Sequence, residues 1–185
     1  EGNKRVYKDG KFSTSSGKAQ FFPITPKNPT QKTSAEFPFR LNSGRLRDQW
    51  HTMSRTGKAA QLTAHTDKCY LYINPSDAKR LNIVDDEIVK ISSSTGEATV
   101  HARLDKNQRR HECFMPIHWN KQFASSANVS DLYDSIADPI SGQPESKHGA
   151  VALSKTSFKQ FGQLHISTDY VSQIKINNDF WSKAL

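Results

Sequence analysis

A mainly β fold, closed into a barrel with short helices in its connections, is the architecture this sequence predicts. Three observations carry the barrel. Residues 97–104, EATVHARL, alternate strictly between Ala/Val/Leu and polar side chains, as a strand with one wet face must. Five other short segments are rich in residues that suit a pleated surface. Only one brief helix, started by a proline, lies among them.

In chain order, FPFRLN (37–42) is the first core strand and CYLYIN (69–74) the second. Asn74 then caps a short helix, with Pro75 at its first position and Asp77 in its first turn, ending near Leu81. EIVKIS (87–92) and EATVHARL (97–104) flank a turn containing Gly96, and ECFMPI (112–117) and AVALS (150–154) complete the set. Asn82 and Asp86 fall where the chain must turn sharply, and both residue types tolerate left-handed backbone. Residues 1–33 read as an extended linker with one short strand at AQFFPI (19–24), because Pro23, Pro26 and Pro29 forbid a continuous helix. The barrel domain spans 34–155, and residues 156–185 form an extension whose FWSKAL end either packs back on the barrel or leads elsewhere.

The 185 residues suffice for one domain with tails, and 35% hydrophobic content supports a core for about 120 of them. No apolar run approaches the roughly 18 residues of a membrane span. Cys69 and Cys113 lie far apart and read as reduced, buried thiols of a cytoplasmic protein. Asn128-Val129-Ser130 matches a glycosylation sequon, which signifies nothing outside a secretory context.

The formal charge of +8 suggests nucleic-acid binding until it is divided along the chain. Residues 1–33 hold seven Lys/Arg against two acids, whereas 34–155 hold sixteen against fourteen. The excess therefore sits in a leader suited to a solvated linker. A nucleic-acid module using that leader and KNQRRH (106–111) is the rival reading, and the near-neutral core counts against it.

Within the core one stretch departs from neutrality. Residues 40–58 carry Arg40, Arg45, Arg47, Arg55 and Lys58 against Asp48 alone. SGRLRDQWHT (43–52) makes neither a clean strand nor a helical stripe. Arg45 and Arg47 are planar forks suited to phosphate or a heterocycle edge, and Trp50 and His51 can pack against flat rings. By itself such a segment is more often a solvated loop than a binding surface. His111, Cys113 and His118 lack a fourth ligand at suitable spacing, so no metal site is expected. Asp138 and Glu145 lie in a Pro/Gly-rich loop and read as turn formers rather than an acid–base pair.

SGRLRDQWHTMSRTG, then LYINPSDAKRLNIVDDEIVKISSSTG, then FMPIHW, Asn128 and DPISGQPESK together resemble the C-terminal domain of molybdopterin-dinucleotide oxidoreductases, and within them the cytoplasmic assimilatory nitrate reductases. The likeness covers about residues 18 to 153. The family's usual Thr-Gly-Arg is Ser43-Gly44-Arg45 here, and its turn glycines are Asn82 and Asp86. The resemblance implies the double-psi barrel and a molybdenum-bis(molybdopterin guanine dinucleotide) cofactor. It implies that Ser43, Gly44, Arg45, Leu46, Arg47, Asp48, Gln49, Trp50, His51 and Thr52 contact that cofactor, with Asn128 and Lys147 downstream, and that His118 and Trp119 approach a substrate funnel.

No catalytic residue is expected in this chain. By the same resemblance the molybdenum ligand and an iron–sulfur cluster belong to a larger N-terminal portion of the parent enzyme. The chain is therefore expected to be an excised domain, monomeric and inactive alone. Its partners would be the parent's N-terminal domains and electron-donor protein, with neither nucleic acid nor membrane among them. Formate dehydrogenase is the alternative parent.

Overall fold

The computed structural model describes residues 5–158 and 180–182. Six strands carry the fold: β1 Phe39–Gly44, β2 Tyr70–Ile73, β3 Ile88–Ser92, β4 Glu97–Leu104, β5 Glu112–Pro116 and β6 Gly149–Lys155. They close into a barrel in the order β1-β5-β2-β4-β3-β6. β1 pairs parallel with β5 and β2 with β4, while every other neighbour is antiparallel. Each expected core strand is present, shifted by at most two residues at its ends.

Alternation fills the interior. Phe39 and Leu41 of β1, Leu71 and Ile73 of β2, and Val89 and Ile91 of β3 are buried, as are Ala98, Val100 and Ala102 of β4. Cys113 and Met115 of β5 and Val151 and Leu153 of β6 complete one cluster. Small residues on β4 leave room at the centre of a narrow barrel for larger chains opposite. Both thiols are buried and free, and burial pushes each far above its ordinary value.

Two short helices sit in the connections, α1 (Ala60–Thr63) and α2 (Pro75–Arg80). Asn74 caps α2 as its sequence requires, its side chain accepting a bond from the Ser76 amide at 2.9 Å. Asn82 (φ 55) and Asp86 (φ 62) do adopt left-handed backbone. α1 and 3-10 turns at Thr56–Lys58 and Val129–Leu132 carry no sequence signal strong enough to predict them.

The leader differs from expectation. No strand forms at 19–24, and Phe21 is 93% exposed. A closed barrel has no free edge on which such a strand could pair. The leader is tied down near its end, where the Thr30 and Gln31 amides donate to the Glu145 carboxylate and Gln31 Nε2 donates to Asp134 at 2.6 Å. Glu145 is thus an anchor for the leader rather than a turn former. Asp138 is a turn former: its carboxylate accepts from the Ile140 and Ser141 amides and the Ser141 hydroxyl, which hold it below the usual carboxylate range. Most of the 156–185 extension lies outside the described residues. Its 180–182 segment packs back, with Trp181 hydrogen-bonded in both directions to Ser125 and Ser182 bridged to Ala124.

Register decides which loops meet. Gly44 at the end of β1 lies beside Pro116 at the end of β5, and the starts of β2, β4 and β6 lie at that same barrel end. The long connections 45–69 and 117–148 and the 93–96 hairpin therefore emerge together. α2 and the 105–111 loop occupy the other end.

Candidate functional site

The loop after β1 is the centre of the first barrel end. Its start is held by three sequence-distant contacts. The Ser43 hydroxyl donates to the Ser146 carbonyl at 2.6 Å, the Lys147 ammonium donates to the Ser43 carbonyl, and the Ile117 amide donates to the Gly44 carbonyl at 3.0 Å. These bonds follow from β1 lying between β5 and β6.

At Gly44 the surroundings leave no room for a side chain. A Cβ there would stand 2.9 Å from the Phe114 ring and 3.7 Å from the Lys147 ammonium. Gly44 thus keeps bare backbone beside a lysine at the mouth of the loop.

His118 fixes the body of the loop. It is fully buried, its Nε2 accepts the Leu46 amide at 2.8 Å, and its Nδ1 donates to the His51 carbonyl at 2.6 Å. Those two partners demand a neutral ring with the proton on Nδ1. Burial, with Arg45 nearby, holds the imidazole below its usual value, although the His51 carbonyl opposes the shift. Gln49, also buried, donates to the Leu62 carbonyl at 3.0 Å and accepts from Thr56 at 2.7 Å. The Thr56 hydroxyl in turn accepts the Trp50 amide at 3.2 Å. Met53 is buried beneath, and His51 (φ 44) and Met53 (φ 59) both hold left-handed backbone. Such strain costs about 1–2 kcal/mol per residue and persists only where surroundings over-determine it.

The outward side of this braced loop is cationic and aromatic. Arg45 lies over the Trp50 ring, 5.1 Å from its centroid, and Trp50 meets His51 edge-on at 4.5 Å. Trp50 is 56% exposed, unusual for so large an aromatic. Arg47, largely exposed, donates to both oxygens of Asp48 at 2.9 and 3.1 Å. His65 Nδ1 lies 2.8 Å from Asp48 Oδ2. Arg47, then His65, hold the Asp48 carboxyl below its normal range.

The residues expected at the site thus separate by what they touch. Arg45, Arg47, Trp50, His51 and Thr52 present side chains outward. Ser43, Leu46, Asp48 and Gln49 spend their polar groups, or in Leu46 its amide, on holding the loop. Lys147 bonds the Ser43 carbonyl, which places its ammonium beside Gly44. Asn128 sits at the same barrel end but caps the 129–132 turn, accepting from the Ser130 amide and donating to Asp131 at 2.7 Å.

His118 and Trp119, expected at a substrate funnel, are buried within this domain instead. His118 is the brace of the loop, and Trp119 belongs to the core, its Nε1 without an acceptor among the described residues. His111 and His118 flank β5 at opposite ends, about 20 Å apart at strand rise, so the trio with Cys113 is not assembled. Thr56 and His65 were not foreseen. Their roles arise from contacts made by the fold of the 53–65 segment, which no local pattern announces.

A closed six-strand barrel whose two longest loops share one end, with a rigid cationic lip there, defines a class: a ligand-binding β-barrel domain. Residues 39–150 match the model of the molydopterin dinucleotide binding domain, and the chain belongs to that family. It is 40% identical over 137 residues to a nitrate reductase of Klebsiella oxytoca, covering 74% of this chain and 16% of that protein. It is 35% identical over 131 residues to the assimilatory nitrate reductase catalytic subunit of Bacillus subtilis, 71% of this chain and 18% of that one. A third relative is the F420-dependent formate dehydrogenase subunit alpha of Methanocaldococcus jannaschii, 31% identical over 154 residues, 83% and 22% of the two chains. The fold is shared with acetylene hydratase from Pelobacter acetylenicus, at a TM-score of 0.55 and 15% identity over 65% of this chain and 19% of that one. This chain therefore spans about a fifth of the length of the curated relatives it matches.

Proposed function

We propose that this barrel is the cofactor-binding domain of a molybdenum nitrate reductase, forming one wall of the site for molybdenum-bis(molybdopterin guanine dinucleotide). The observation that carries it is the braced loop at Gly44, where bare backbone, Lys147, Arg45 and an exposed Trp50 meet at one barrel end. This set fits a large flat anionic group: donors and forks for oxygen-rich edges, an aromatic face for a ring, and bare backbone at Gly44. The two parallel strand pairs support the double-psi reading.

When bound, the molybdenum cofactor would supply the two-electron chemistry of nitrate reduction, while the protein supplies binding, orientation and electrostatics. Arg45, Arg47 and Lys147 would meet its anionic and heterocyclic edges, and Trp50 and His51 its rings, with Thr52 offering a hydroxyl. His118, Gln49 and Thr56 would hold those groups in place before the ligand arrives, so that little ordering is required on binding. The identity with nitrate reductases, 40% against 31% for the formate dehydrogenase relative, favours nitrate over formate as the parent's substrate.

An iron–sulfur cluster, the electron-donor contact and the catalytic groups would then reside in the rest of the polypeptide. The isolated chain would be a monomer without activity. Buried, unpaired thiols support a cytoplasmic setting.

The test is Arg45→Ala in the full-length enzyme beside Lys106→Ala, an exposed residue at the other barrel end. Each charge-assisted bond lost costs about 1.5–3 kcal/mol, so molybdenum content and nitrate turnover should fall together for Arg45→Ala, with circular dichroism unchanged. Equal molybdenum and equal turnover in both variants would show that the loop is only a solvated surface.

A further inference from the structure

A polar concavity lies on the side of the barrel, running from the 105–111 loop towards Lys147. A groove of about 450 Å³ runs over the outer faces of β1 and β5, bounded by Arg40, Asn42, Gln108, Arg109, Lys147 and His148. A neighbouring hollow of about 270 Å³ shares Arg40, Glu112 and His148 with it and adds Arg110. The first is already of ligand-site size.

The charge of this surface is one-sided. Arg40, Arg109, Arg110 and Lys147 line it, and the one acid in its lining, Glu112, is bonded to Arg40. Arg110 has a distant partner, its Nε 3.9 Å from Asp77 Oδ1, which also lies 3.7 Å from Arg80. Arg109 is exposed and has no carboxylate partner among the described residues. Burial, and then Arg40, keep His148 below its usual value, so it adds a neutral hydrogen-bonding ring. Nearby Glu145 is occupied by the leader's amides at Thr30 and Gln31. Asn42 and Gln108 add carboxamides able to bond both to a carboxylate and to peptide backbone.

A second fact bears on the occupant. The matched stretch is less than a fifth of each nitrate reductase relative, so in them this barrel is one part of a longer polypeptide. The neighbouring hollow is walled by Thr33 and Pro38, where the leader joins β1, so this side of the barrel adjoins the chain's own approach to the domain. The lining holds no tryptophan, tyrosine or phenylalanine on which a nucleobase could stack. Arg109 and Arg110, in the 105–111 loop, stand next to Arg40 of β1, and three forks grouped in this way suit a partner carrying several carboxylates.

We propose that the β1–β5 groove is a docking surface for an acidic peptide segment of a partner polypeptide, with Arg109 as its principal free cation. The surface adjoins the cofactor site at Lys147, but the side chains that engage the segment lie outside that site, so the proposal does not depend on the reading given for it. Carboxylates of the segment engage Arg109, Arg110 and Arg40, the last by exchange with Glu112, while Asn42 and Gln108 bond its backbone. Charge-pair recognition of this kind weakens as salt rises, because the groove is open to solvent.

The experiment is titration of this chain with hexaglutamate at 20 and 300 mM salt, followed by amide NMR and calorimetry. Saturable shifts are expected at Asn42, Gln108, Arg109 and His148, with binding at least tenfold weaker at the higher salt. Arg109→Glu should weaken binding tenfold or more and Arg109→Gln by a smaller factor. Arg55→Glu, an equal charge change at the other end, should leave it within twofold. Circular dichroism confirms that each variant is folded. Shifts confined to the 45–52 loop, equal binding by the Arg109 and Arg55 variants, no saturable binding, or tighter binding of inorganic triphosphate than of hexaglutamate would each overturn the proposal.

Discussion

Replacing His118 by Phe keeps a ring of similar size in the core and removes both bonds by which the cofactor loop is held. The Leu46 amide would lose its acceptor at 2.8 Å and the His51 carbonyl its donor at 2.6 Å. An orphaned buried polar group costs about 1–3 kcal/mol, which bounds the loss at about 2–6 kcal/mol. The loop's outer face is exposed, so part of it can turn to water, and about 2 kcal/mol is expected. For a domain of this size that lowers the melting temperature by about 4–8 °C.

Titration gives the same reasoning a second, independent reading. The folded imidazole is held below its ordinary 6.5, so as pH falls the unfolded chain takes up the proton first. Stability contributed by neutral His118 is therefore complete above 6.5, drains away between 6.5 and the lower folded value, and is constant below that. The Phe variant should lack this step. Urea denaturation of both proteins between pH 7.5 and 4.5, with amide exchange at Leu46, measures all of it. A change under about 0.5 kcal/mol at pH 7.5, with undiminished protection of Leu46, would refute the view that His118 braces the loop.

Gly44→Ala should destabilise by about 1–3 kcal/mol because its Cβ would press on the Phe114 ring at 2.9 Å; the added Phe114→Leu change should recover most of that loss in a double-mutant cycle. Asn82→Gly should leave stability unchanged or raise it by up to about 1 kcal/mol in denaturant titration, whereas Asn82→Val should lose about 1–2 kcal/mol at this φ of 55. Cys69 and Cys113 should resist iodoacetamide in the folded protein at pH 8 and react fully in urea, since burial raises both thiols; rapid native alkylation read by mass spectrometry would contradict their placement.

The barrel was legible in the sequence because its strands are written locally. The alternation in 97–104 forces one face inward whatever the neighbours are, and it became β4 over the same residues. Asn74-Pro75 specifies a helix start through its own side chain and ring, and Asn82 and Asp86 mark left-handed turns because few other residue types accept them. The 43–52 loop could be singled out by charge for the same reason: five cations and one acid in 40–58 are countable without a fold. The leader strand at 19–24 was misread because local β-propensity says nothing of a partner, and closure of the barrel leaves no edge to supply one.

What the tertiary structure alone decided is the division of labour within that loop. Arg45 and Gln49, or Trp50 and Trp119, look alike as site candidates in sequence, yet one of each pair faces solvent and the other is buried. Their separation comes from strand register. Placing β1 beside β5 brings His118 under Leu46, and placing it beside β6 brings Lys147 to Ser43, contacts that span 72 and 104 residues. A residue's own chemistry fixes what it can bond. Which partner reaches it across such distances depends on the closure of the whole sheet, and no short stretch of chain contains that information.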